Sequence, residues 1–383
     1  MLEKSSISTQ LFAQYAAYAH PASLAVAFDP QQLAALLPAH KSLAGRSAEG
    51  RPLHQIDFGE GKTRVLLWTQ MHGDEPTATL AALDVFRFLS EKDNFWKPLR
   101  TQILEQLHLR FLPLINPDGA LRKQRRTAWQ IDPNRDYIAQ VSPEAQFLRK
   151  QSEIFRPQWG FNLHDQNRFY AVGQTQQSPI LTLLAPLPHP QNTDYQSYQD
   201  AVGLIALLHD DLQELLAGRI SRYADDFEGR AFGDNFQRTG IRTVLFEGGF
   251  IFGDQDYQQR RQYFAVALLT ALALLADPQY YPGEDDVYQK IPRNETRFFD
   301  VFIPQLRIAA PNGIAYNVDI GSNQLPDGRW EIMDIGDLQS YTSHTIWPDA
   351  MLRPNSAMPI CGQKGTLEKV GDLVTWTPIN PSE

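Results

Sequence analysis

Between residues 54 and 276, short strand-type runs alternate with longer helical ones, and this alternation constrains the fold more than any other feature. The strand-type runs are RVLLWTQ (64–70), LHLRFLPLI (107–115), WGFNL (159–163), FYAVG (169–173), ILTLLA (180–185) and IRTVLF (241–246). The helical ones are TATLAALDVFRFLSE (77–91), PEAQFLRKQSEIF (143–155), a segment over 196–218 and one over 255–276. Such a pattern predicts an α/β fold, a sheet covered by helices on both faces.

The flanks differ. Residues 1–50 are alanine-rich and read as an N-terminal helical segment packed on a main domain spanning 51–283. From 284 to 383 the chain carries short strand signals and turn pairs such as PNG and PDG, which predicts a small β-rich domain. A net charge of −9, from 35 basic and 44 acidic residues, argues against a general nucleic-acid binder. The single cysteine, Cys361, excludes an internal disulfide and a thiolate metal cluster, and is expected to be a bystander. The longest apolar run, YFAVALLTALALLA, falls short of a membrane span, and the N-terminus lacks a signal-peptide core. The expectation is a cytoplasmic protein without membrane or nucleic-acid partners.

Chemistry-bearing residues gather at the ends of the strand runs. His72 and Glu75, in MHGDEPTA, follow the first run. That motif reads either as a polar loop or as half of a zinc site, because imidazole and carboxylate at this spacing can share one side of a turn. LHLRFLPLI leads into NPDG, which is a turn signal in itself. The next stretch, LRKQRRTAWQIDPNRDY, holds Arg122, Arg125, Arg126 and Arg135 around Asn134. It is either a solvated basic loop or a wall that grips a carboxylate. His164 ends WGFNLH and Glu247 ends IRTVLFE. A histidine at such a place is ordinarily structural, and the glutamate could cap a helix. Together, however, His72, Glu75 and His164 make two nitrogens and a carboxylate, the open donor set of a catalytic zinc, with Glu247 available as a base. Ligands of open α/β sheets bind at the carboxyl ends of the strands, so the shared position of these groups is itself an indication.

The order HGDE, NPDG, DPNRD, NLHD, FEGG resembles the zinc metallocarboxypeptidase family typified by carboxypeptidase A, over roughly residues 54–276. The resemblance implies an α/β fold with a central mixed sheet flanked by helices, and one Zn2+ per chain held by His72, Glu75 and His164. It implies Glu247 as general base and Arg125 as the arginine that steadies the scissile carbonyl, with Arg122 as the competing candidate. Asn134 and Arg135 match the pair that holds the substrate's terminal carboxylate. Tyr223 is the candidate for a tyrosine over the substrate, and Asp234 for a residue selecting a basic side chain. Surface packing and a turn role are the plain alternatives for those two. Other histidines, His189 among them, have no spacing that suggests metal.

The implied activity is removal of C-terminal residues from peptides. A second reading is a zinc-dependent deacylase of N-acyl amino acids, similar to succinylglutamate desuccinylase or aspartoacylase, and a third is a cell-wall peptide amidase. A binding module that kept the fold without the activity is disfavoured, because no ligand and no base is missing.

Overall fold

A computed structural model describes residues 6–21, 30–92, 95–188, 195–224, 226–280, 282, 285–309, 315–325, 328–346 and 373–374. Cys361 and His189 lie outside them. The strands of the larger unit are β1 (Ser42–Arg46), β2 (Pro52–Phe58), β3 (Thr63–Thr69), β4 (Leu107–Leu112), β5 (Trp159–Asp165), β7 (Leu181–Leu184), β8 (Ile220–Arg222) and β9 (Arg242–Gly248), with β6 (Tyr170–Val172) lying between β5 and β7 in sequence. They form one sheet in the order β1-β2-β4-β3-β5-β9-β7-β8. The four central strands β4, β3, β5 and β9 are parallel, while β1, β2 and β7 meet their inner neighbours antiparallel. Four carboxyl ends therefore open on one edge of the sheet.

Strand periodicity divides the two faces. Val65, Leu67, Phe161, Leu163, Val244 and Phe246 enter the larger core, beneath the helices α1 (Ile7–Ala13), α4 (Thr77–Ser90), α8 (Gln196–Leu216) and α10 (Gln258–Leu275). Leu66 and Trp68 enter the smaller core on the opposite face, with α7 (Pro143–Phe155) and α9 (Phe232–Arg238). Because successive strand residues point to opposite faces, His164 and Glu247 project from the face that Phe161, Leu163, Val244 and Phe246 leave free. The apolar run at 263–276 forms most of α10 and is buried in the larger core. No described helix is long and apolar enough to cross a membrane.

Local signals set the helix ends. Asn116 caps α6 (Pro117–Arg122) by accepting from the Gly119 N–H at 2.8 Å, and Ser142 caps α7 in the same way at 3.3 Å. In both, proline occupies the first turn, where its missing donor costs nothing.

Three expectations need correction. Residues 1–50 are not helical throughout: after α1, α2 (Tyr15–Tyr18) and α3 (Pro30–Leu36), the chain enters β1, which pairs with β2 to extend the sheet. FYAVG does not join the central sheet. Residues Arg168–Ser178, including β6, belong to the second compact unit with Glu295–Glu383. The larger unit is Met1–Asn167 with Pro179–Asn294, so the division falls beyond residue 283. The physical reason is α11 (Asp285–Lys290), whose Tyr288, like Ile291 just after it, is buried in the larger core.

In the second unit, β10 (Asn294–Thr296) leads into a sheet of β11 (Phe298–Ala309), β12 (Ala315–Gln324), β13 (Trp330–Gly336), β14 (Thr342–Ile346) and β15 (Leu373–Val374). Arg168 binds the Asp300 carboxylate with both Nε and Nη2, and Phe169 O accepts from the N–H groups of Arg297 and Phe298.

Candidate metal centre

Two glycine contacts place the first ligand loop. A Cβ on Gly73 would stand 2.1 Å from the Gly119 backbone, and one on Gly119 would stand 2.4 Å from the Asn116 side chain. The HGDE and NPDG loops therefore dock backbone to backbone. Asn116 completes the joint, its Nδ2 reaching Met71 O at 3.3 Å and Arg125 O at 3.2 Å. Its role is to tie these loops together, not to face the substrate.

His72, Glu75 and His164 then meet. His72 Nδ1 lies 2.7 Å from Glu75 Oε1, His164 Nδ1 lies 2.7 Å from Glu75 Oε2, and the two Nδ1 atoms are 3.1 Å apart. His72 and His164 are buried. Asp132 Oδ1 stands 3.2 Å from His72 Nε2, which places a proton there and leaves Nδ1 as an electron-pair donor. Zinc bonds of about 2.0–2.1 Å set tetrahedral donors roughly 3.3 Å apart, close to the spacing found here. Three donors converging on one point fit a cation, and the Arg125 guanidinium already crowds it, with Nη1 3.0 Å from His72 Nδ1 and 3.5 Å from Glu75 Oε1.

The neighbouring charges are shaped by burial. Burial opposes ionisation of Glu75, yet the two histidines outweigh it and hold the carboxyl well below its usual range. Burial first, then the Glu75 and Asp165 carboxylates, push Glu247 well above that range. Glu247 is the register partner of His164 across β5 and β9, and its Oε2 is buried without a hydrogen-bond partner. This is the environment of a carboxylate that holds a proton readily.

The glycines of FEGG have separate causes. A Cβ on Gly248 would lie 2.5 Å from Asp165 Oδ1, and one on Gly249 only 1.8 Å from Pro179 O. Asp165 itself turns away from the histidines. Its Oδ2 accepts from the Thr77 N–H at 3.2 Å and hydroxyl at 2.9 Å, and its own N–H reaches Glu75 Oε2 at 3.3 Å. It thus anchors the start of α4, just after Glu75, to β5.

Of the two arginine candidates, Arg125 stands at the metal group, held by Asp132 at 3.0 Å. Arg122 is engaged elsewhere, donating to Asp118 O and pairing with Glu49. Asn134 Oδ1 accepts from the Phe232 N–H at 3.0 Å, and Arg135 Nε pairs with Glu228 Oε2 at 3.1 Å. Asp234 Oδ1 accepts from the Glu228 N–H at 3.1 Å, and burial pushes its carboxyl up to about 6. Tyr223 follows β8, at the outer edge of the sheet, with its N–H on Leu183 O. Asp132 and Glu228 are site neighbours that the sequence reading does not single out. For Asp132 a signal existed, its place at the head of D-x-N-R.

The family profile described as zinc carboxypeptidase matches residues 31–178, a stretch that contains His72, Glu75 and His164. Residues 31–178 are therefore similar to a zinc carboxypeptidase domain. The metal of that family is zinc, and the His–Glu–His group is where this domain can hold it. Carboxypeptidase SOL1 of Arabidopsis thaliana is 33% identical over 106 residues, covering 26% of this chain and 21% of the plant protein. Carboxypeptidase 2 of Trichophyton tonsurans is 29% identical over 104 residues, covering 27% and 19%. The chain thus aligns with about a fifth of the length of these curated relatives. Among solved structures, a metallo-carboxypeptidase from Burkholderia cenocepacia superposes with a TM-score of 0.50 at 17% identity, covering 64% of this chain and 67% of that one. One from Pseudomonas aeruginosa, in complex with (2-guanidinoethylmercapto)succinic acid, gives 0.50 at 17% identity, with 64% and 68% covered. These likenesses show the fold of the domain.

Proposed function

We propose that this protein is a zinc-dependent carboxypeptidase that removes C-terminal residues from peptides. The observation that carries the reading is the convergence of His72, Glu75 and His164 beside Glu247 at the carboxyl edge of the parallel strands. When bound, zinc supplies a Lewis acid that polarises the scissile carbonyl and acidifies water.

The chain's own residues do the rest. Glu247, buried and high in pKa, takes a proton from the attacking water and returns it to the leaving amine. Arg125, held by Asp132, offers its guanidinium to negative charge developing on the carbonyl oxygen. Asn134 and Arg135 receive the terminal carboxylate, which would confine cleavage to the last bond. Burial of the histidines keeps bulk water from competing for the ligand atoms.

The test is to offer zinc-loaded protein a pool of short peptides and N-acyl amino acids and to read the products by mass spectrometry. Glu247→Gln serves as control. Loss of single C-terminal residues is the expected outcome. Release of acyl groups from the N-acyl amino acids, with the peptides left intact, would instead make the protein a deacylase.

A further inference from the structure

We propose that Glu228 is a positioning residue for Arg135, fixing the guanidinium so that its outer fork is presented to a substrate carboxylate. The inference rests on the reading of Arg135 as the partner of that carboxylate. It starts from a side chain that the proposed chemistry does not use.

Glu228 is a fixed bracket. Arg230 grips it with a two-pronged contact, Nε to Oε1 at 2.9 Å and Nη2 to Oε2 at 2.8 Å, and the Arg230 N–H reaches Oε1 at 3.1 Å. The Arg230 hydrogen bonds hold the Glu228 carboxyl down to about 2, so it is charged throughout the neutral range. Its Oε2 also faces Arg135 Nε at 3.1 Å. At the other end of the same guanidinium, Arg135 Nη1 donates to Asn134 O at 2.8 Å. Nε and Nη1 of the Arg135 head are thus each held, and the second Nη1 hydrogen together with Nη2 makes the outer fork whose geometry matches a carboxylate.

The surrounding backbone keeps the bracket in place. The Glu228 N–H donates to Asp234 Oδ1 at 3.1 Å, the Tyr137 N–H to Arg230 O at 3.2 Å, and the Phe232 N–H to Asn134 Oδ1 at 3.0 Å. The Tyr137 and Phe232 rings meet edge to face at 5.1 Å. Residues 228–234 are therefore stitched onto residues 134–137, and a charge at 228 is delivered to the arginine with little freedom. A guanidinium ordered in advance spares the substrate the cost of immobilising a long side chain.

The experiment uses the zinc-loaded full chain and a peptide from which the wild type releases the C-terminal residue. Glu228→Gln and Glu228→Ala should each raise KM about five- to tenfold, the cost expected when substrate must immobilise the arginine itself. Turnover at saturation should stay within about twofold, because no group at the reacting carbonyl is touched. Glu228→Asp should recover part of the loss. In an Arg135→Ala background, Glu228→Gln should add nothing. A raised KM in Arg135→Ala with an unaltered or lowered KM in Glu228→Gln overturns this inference alone. An unaltered KM in Arg135→Ala overturns the reading beneath it. The Gln variant preserves shape, and its melting temperature checks that only the charge has been removed.

Discussion

His164 and Glu247 are register partners on adjacent parallel strands, so a metal-ligand candidate and a proton-transfer candidate are neighbours fixed by the sheet itself. Their spacing does not depend on any loop. Replacing Glu247 by Gln should therefore leave zinc content at the wild-type level while turnover falls about 10²–10⁴-fold, the range for a lost general base. Metal analysis alongside steady-state kinetics checks both halves. A near wild-type rate in the variant would remove Glu247 from the chemistry.

Metal removal should act on stability as well as rate. Three electron-pair donors packed within about 3 Å repel one another without a cation, and zinc bound only to the folded state contributes about 2.7 kcal/mol at a hundredfold excess over Kd. A chelator should lower the melting temperature of the wild type and leave that of His164→Ala unmoved. Full zinc occupancy in both His72→Ala and His164→Ala would end the ligand assignment.

Asp234 should make stability depend on pH. Burial raises its carboxyl to about 6 in the folded chain, above the ordinary value near 3.8. The folded state thus prefers the protonated form. The contribution is fully present below pH 4 and is lost as pH rises through 6, by at most about 3 kcal/mol. Asp234→Asn keeps an oxygen for the Glu228 N–H. It should be more stable than wild type at pH 7.5 and equal to it at pH 3.5. Urea melts at the two pH values decide this, and a difference that does not change with pH would refute it.

The buried pair Asp84–Arg261 should tolerate replacement of both partners together but not of one alone. Asp84 is fully buried and Arg261 is 2% exposed. Asp84 accepts from Arg261 Nε at 2.8 Å, from the Tyr15 hydroxyl at 2.7 Å and from the His20 N–H at 2.6 Å, joining α4 and α10 to the N-terminal segment. Asp84→Ala leaves a buried guanidinium uncompensated and should cost about 3–5 kcal/mol, whereas a paired Asp84→Leu, Arg261→Met replacement should recover most of it. Chemical denaturation of the set gives the answer.

Two glycines should respond oppositely to the same methyl group. Gly73→Ala drives a Cβ into the Gly119 backbone, and should displace His72 and weaken zinc binding at least tenfold. Gly50→Ala meets open space and pays only its left-handed backbone, about 1–2 kcal/mol, with zinc affinity unchanged. Zinc titrations of the two variants separate a loop that must dock closely from one that only turns.

The sheet's centre was legible in sequence because its parallel strands are buried on both faces and read as continuous apolar runs between long amphipathic helices. The metal group was legible for a related reason, since His164 and Glu247 interrupt that apolar pattern at strand ends. β1 and β2 were missed because SLAGR, at the edge of the sheet, and PLHQIDF, next to it, mix polar and apolar residues without a strong signature. The short α9 was hidden behind turn-like residues in FGDNF. Asp165, Asp132 and Glu228 act through contacts with residues distant in sequence or on another loop, as Thr77, His72 and Arg135 show. No local periodicity encodes such pairings.

The excursion of residues 168–178 into the second unit also dictates an order of assembly. That segment leaves the larger unit four residues after His164, and the strands it joins begin at residue 294. On the ribosome it therefore waits for more than a hundred residues of chain before Asp300 can receive Arg168. Cutting the gene after residue 294 would not excise a module cleanly. It would strand an eleven-residue flap, made to be half of something else, four residues along the chain from the histidine on which the metal centre depends.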